Sequence, residues 1–76
     1  MDIPDRLISL QQNADAERAK LSGLIGDEWE AQWKHWYEAA VESQAALTVH
    51  AQETDTPRGK LEAAVKKAVR HPDPGD

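Results

Sequence analysis

Residues 23–37 read GLIGDEWEAQWKHWY, and this stretch decides the fold. Gly23 and Gly26 bracket Leu24 and Ile25, and two glycines so close cost a continuous helix about 2 kcal/mol relative to alanine. Beyond them Asp27 suits an N-cap, with Glu28 and Glu30 in the first turn where the helix dipole favours negative charge. Trp29, Trp33, Trp36, Ala40, Ser43 and Leu47 then follow at alternating spacings of four and three. At about 100° per residue these positions, with Tyr37 and Ala51, lie within about 120° of one another. Lys34, His35, Glu38 and Glu42 take the far side. The spacing predicts an amphipathic helix over residues 27–52.

Working back toward the amino terminus, Ile3, Leu7, Leu10, Ala14, Glu17, Leu21 and Leu24 repeat the same rhythm. That is a heptad-like seam with one acidic interruption at Glu17. Asp2 can cap this helix, and Pro4 suits a first turn that lacks a partner for its N–H. A helix over about residues 4–22 is expected, and the seam loses phase at the glycines, where continuing it would bury Glu28. A turn joining two antiparallel helices fits better than one rod.

Working forward, Thr56 before Pro57 is a helix start signal. Leu61, Ala64, Val65, Ala68 and Val69 form an apolar stripe, so a third helix is expected over 57–70. Pro72, Pro74 and Gly75 predict a disordered tail at 71–76. Strand signals are missing, since the chain has no Phe and no useful alternating run. The expected fold is all-α: one domain over residues 1–70, an antiparallel helical hairpin plus a shorter third helix. It could close as a three-helix bundle or as a dimer of hairpins.

Composition narrows the function classes. The chain has 76 residues, and 12 of its 30 hydrophobic residues are alanines, so the core is thin for its length. The absence of Cys excludes disulfides, thiolate zinc sites and thiol catalysis. No apolar run approaches a membrane span, and the acidic amino terminus is unlike a signal peptide, so a cytoplasmic protein is expected. Net charge is -5, unevenly spread. Residues 1–55 hold 11 acidic and 4 basic side chains, whereas residues 56–76 hold 3 and 5.

The tryptophan stripe is the leading site. Three Trp and the only Tyr fall within nine residues, and each such ring can bury about 150–250 Å². Read as structure, the stripe is the core of the bundle, with Tyr37 exposed at its edge. Read as function, Trp29, Trp33, Trp36 and Tyr37 anchor a protein partner, with Glu38 and Glu42 as rim charges. The partner would be another protein or a second copy of the chain, and paired heptad seams favour a homodimer. The acidic polar face argues against a membrane surface.

The basic last helix offers an alternative, a nucleic-acid-associated regulator in which Arg58, Lys60, Lys66, Lys67 and Arg70 meet phosphates. Pro57-Arg58-Gly59-Lys60 resembles part of the Pro-Arg-Gly-Arg-Pro core of AT-hook minor-groove binders, departing from it at Lys60 and Leu61. The resemblance covers four residues, and it implies an extended arm where the periodicity predicts a helix. No catalytic constellation is present: Ser9, Ser22 and Ser43 lack a nucleophile-elbow setting, and no phosphate loop occurs. His35, Glu38 and Glu42 share a face, but Gln32 stands where a bundle metal site would need Glu. The sequence therefore predicts a small regulatory or adaptor protein, non-enzymatic, with no metal or cofactor. A purely structural homo-oligomer subunit is the third reading.

Overall fold

The computed structural model describes residues 3–70, and these form three helices with no strand: α1 (Asp5–Ala19), α2 (Gly26–Glu53) and α3 (Arg58–Arg70). The all-α class expected from the sequence is observed. The tail at 71–76 and the cap at Asp2 lie outside the described residues.

α1 starts one residue later than the sequence suggests. Pro4 occupies the N-cap site with an extended backbone, and its carbonyl accepts the N–H groups of Leu7 (3.0 Å) and Ile8 (3.4 Å). The helix ends at Ala19 rather than Ser22, because the chain tightens there into successive turns. Leu21 N–H donates to Arg18 O (3.1 Å) and Ser22 N–H to Ala19 O (3.2 Å). Gly23 then adopts φ 84° and Gly26 φ 64°, left-handed conformations open to glycine at little cost. The Gly23–Gly26 segment is thus a turn, not a bend in one rod. Asp27 makes no side-chain cap bond; with Glu28 it lies in the first turn of α2 and complements the dipole instead.

The second turn is more tightly specified. Thr56 N–H donates to Ala51 O (2.9 Å) and Asp55 N–H to Gln52 O (3.3 Å), the paired bonds of a Schellman C-cap. Asp55 supplies the left-handed residue, φ 52°, where glycine is usual. Thr56 does not cap α3, since its hydroxyl lies 2.9 Å from Thr54 Oγ1 and 3.4 Å from Thr54 O. The α3 ladder opens instead with Leu61 N–H on Pro57 O at 3.1 Å.

α1 and α2 run antiparallel. Glu17 meets Gln32 and, farther along, Gln11 meets Ser43, so residues pair in reverse order. Small side chains, Ala14, Ala39 and Ser43, are buried along this contact and let the two backbones approach closely. The apolar core lies at the end where all three helices converge: Leu7 from α1, Leu47 and Ala51 from α2, and Leu61 and Val65 from α3. Ile3, Ala46 and Val69 pack around it. Leu47, Leu61 and Val65 are the largest fully buried side chains.

Two substitutions test this account. Leu47→Ala should cost about 3 kcal/mol in urea unfolding, a large share of what a chain of this size commands. Loss below about 1 kcal/mol would mean that the three-helix core is misassigned. Asp55→Gly should raise stability by about 0.5–1 kcal/mol, a few degrees in Tm, by relieving the left-handed residue and removing an anion from a helix C-terminus. A lower Tm would mean that Asp55 makes a stabilising contact of its own.

Candidate functional site

The expectation that the tryptophan stripe forms the bundle core is overturned. Trp29 is 40% exposed, Trp33 38% and Tyr37 52%; Trp36 alone of the four rings is half-buried. The reason is length. α2 has 28 residues and α3 has 13, about 42 and 20 Å at 1.5 Å per residue. α3 covers the face of α2 that carries Leu47 and Ala51. The same face bears Trp29 and Trp33 two turns or more toward the amino end, beyond the reach of α3. α1 meets α2 on an adjacent face, through Ala39 and Ser43.

Among the exposed large apolar residues, Trp29, Trp33, Tyr37 and Val41 form a ridge of every fourth residue, the last 49% exposed; Ile25 continues the row just before α2, and Val49 stands apart on another face. Such an i, i+4 row is the ridge that packs into the groove of a neighbouring helix. Its rings are already ordered against one another. Trp33 and Tyr37 stack, with centroids 5.2 Å apart and planes inclined by 14°. Trp36 meets Trp33 edge-on at 6.0 Å and 64°, and the Arg18 guanidinium sits 5.4 Å from the Trp36 centroid. Arg18, Trp36, Trp33 and Tyr37 therefore form one continuous ladder from α1 to the open face. Stacked rings have little rotamer freedom left to lose, which lowers the cost of docking on them.

A polar clasp holds the base of this ladder. Gln32 Nε2 donates to Glu17 O (2.7 Å) and Glu17 Oε2 (2.9 Å), and Lys20 Nζ pairs with the same carboxylate at 3.1 Å. The Gln32 amide, and after it Lys20, hold the Glu17 carboxyl below its usual value of 4.5. The acidic break in the first seam is thus a partner for α2, a contact that no reading of α1 alone could find. Gln32, noted in the sequence only as the wrong residue for a metal site, is the signal that was missed.

The two rim charges separate. Glu38 and Lys34 are exposed on α2 one turn apart, flanking the ridge. Glu42 turns away and lines a cleft with Pro4, Arg6, Leu7 and His50 on the other side of the hairpin. The five basic residues of α3 are divided as well. Arg58 Nε donates to Thr48 Oγ1 at 3.0 Å, and the guanidinium also reaches Gln44 Oε1 and Glu62 (3.4 Å). Lys66 pairs with Glu62 at 3.0 Å. Lys60, Lys67 and Arg70 point to solvent. The AT-hook-like tetrapeptide runs into α3 and is no extended arm. No helix among the described residues is long and apolar enough to cross a membrane.

Acid titration reads the clasp. A carboxyl whose pKa falls on folding contributes stability above its unfolded value and loses that contribution as pH drops through the folded one. Between pH about 5 and 3, wild type should therefore lose stability more steeply than Glu17→Gln, in parallel chemical denaturations. Superimposable acid limbs would show that the clasp does not form in solution.

No protein-family model, no curated protein and no solved structure matches the chain, so the function has to be argued from the ridge itself.

Proposed function

We propose that this chain is a small, non-enzymatic protein–protein interaction module, an adaptor or regulatory protein of the cytoplasm, whose binding face is the first half of α2. The observation that carries this reading is the open ridge of Trp29, Trp33, Tyr37 and Val41. Large contiguous aromatic surface is costly to leave in water, and in folded proteins such patches mark interaction sites. Trp and Tyr are also the residue types most enriched among binding hot spots. Lys34 and Glu38 give the ridge a charged border of the kind that selects a partner without supplying most of the affinity.

Trp33 is the central anchor, because it touches both Trp36 and Tyr37. Trp36 faces inward under Arg18 and supports the ridge from behind. The basic helix offers less to a nucleic acid than its sequence suggests, since Arg58 and Lys66 are engaged within the chain. The absence of Cys suits a reducing compartment.

The test is affinity purification of wild type beside Trp33→Ala, both verified as folded by circular dichroism. A protein bound by wild type should be released by Trp33→Ala, with an affinity loss of about 2 kcal/mol, or about 30-fold. Equal recovery of every bound protein by both forms would sink the reading.

A further inference from the structure

We infer that the ridge recognises itself: its occupant is a second copy of this chain, with the two α2 helices packed antiparallel across a two-fold axis. This deepens the reading of the ridge as a protein-binding face, and rests on it.

Coverage comes first. α3 occupies one face of α2 from Gln44 onward, where Arg58 reaches Gln44 and Thr48 and where Leu61 and Val65 meet Leu47 and Ala51. The stretch left open, Trp29 to Val41, is about 18 Å long. The α3 helix that closes the other half is about 20 Å long. One more helix of that span would cover the ridge from Trp29 to Val41.

Sterics set the direction. In a parallel pair, each α3 would lie opposite the other at the same level and wedge the two α2 helices apart. In an antiparallel pair Trp29 lies opposite the partner's Val41, and Trp33 opposite the partner's Tyr37. Each α3 then starts near where the partner's α2 ends, and the two do not compete for space.

Charge agrees with that direction. Lys34 and Glu38 lie one turn apart on the same border of the ridge, and among the described residues neither forms an ion pair within the chain. The two-fold axis that sets Trp33 opposite the partner's Tyr37 passes at the level of residue 35 and leaves Lys34 within about 3 Å, along the helix, of the level of the partner's Glu38, in reach of its long side chain. Antiparallel pairing matches like borders, so a border that holds both signs one turn apart complements itself.

Area sets the strength. The exposed fractions of Trp29, Trp33, Tyr37 and Val41 amount to on the order of 400 Å² per protomer, taking about 150–250 Å² for each ring. Two copies with their borders reach about 1,000 Å², the size of weak and transient interfaces rather than of permanent dimers. A reversible dimer is therefore expected.

Sedimentation equilibrium of the full chain from about 1 to 500 µM decides the matter; a reversible monomer–dimer equilibrium within that range is expected. Trp33→Ala and Tyr37→Ala should each weaken it by about 30-fold, with the helical circular dichroism signal retained. Lys34→Glu should weaken it by about tenfold, and Lys34→Glu with Glu38→Lys in the same chain should restore it. A monomer across the whole range overturns the proposal, as does a dimer indifferent to Trp33 and Tyr37. Failure of the charge swap to restore pairing overturns the antiparallel arrangement. A monomer that still binds another protein through Trp33 overturns self-recognition alone, whereas a monomer with no Trp33-dependent protein overturns the wider reading too.

Discussion

Everything in this molecule follows from one mismatch: α2 has 28 residues, and α1 and α3, with 15 and 13, must cover it from two sides. A helix buries its apolar stripe only where another element lies against it. α1 runs along one side of α2, but α3 reaches only its second half. The stripe does not change character where cover ends. Trp29 and Trp33 are as apolar as Leu47 and Ala51, and lie on the same side of the helix. Only the latter pair lies under α3, and the boundary between core and surface on this face is drawn by the length of α3.

The interior that does form is built largely from small residues. Ala14, Ala39 and Ser43 are buried along the contact of α1 and α2; they bring the two helices together closely but remove little apolar area from water. Dispersion between close backbones offsets part of that deficit. Polar contacts then set the register. Gln32 on Glu17 and Ser43 on Gln11 (3.4 Å) fix the sliding position of α1 along α2, which a seam of alanines would leave loosely determined. Arg58 does the same for α3, bonded to Thr48 and Gln44. One of the five side chains offered to phosphate in the sequence is, in the folded chain, a tether between helices.

Local signals in the sequence were legible, and relations between segments were not. Gly23 and Gly26 announced the turn because their backbone conformations are ones other residues resist. The seam through Leu7 and Ala14 and the stripe through Leu61 and Val65 announced buried faces, and those four residues are buried. The tryptophan stripe has the same periodicity, yet Trp29, Trp33 and Tyr37 remain exposed in part and only Trp36 turns inward. Periodicity identifies the face a helix would bury; it carries no information on how far along that face a neighbour extends. Thr56 failed as a helix cap for a related reason. Its hydroxyl had a competing partner in Thr54, and the Schellman bonds had already fixed its backbone.

An open aromatic ridge on a thin-cored chain couples binding to folding. A domain of this size holds a margin of only about 0.05–0.15 kcal/mol per residue, and the core that supplies it lies at the end where α3 docks. The ridge lies at the other end, held to α1 by the Glu17–Gln32 clasp and the Arg18–Trp36 contact. These contacts are polar and cation–π rather than apolar, and they join the amino-terminal turns of α2 to α1. Any partner that covers the ridge adds RT ln(1 + [L]/Kd) to the stability of the whole chain. Leaving the long helix half covered thus places its exposed aromatic rings on turns that would gain burial from any partner that covered them.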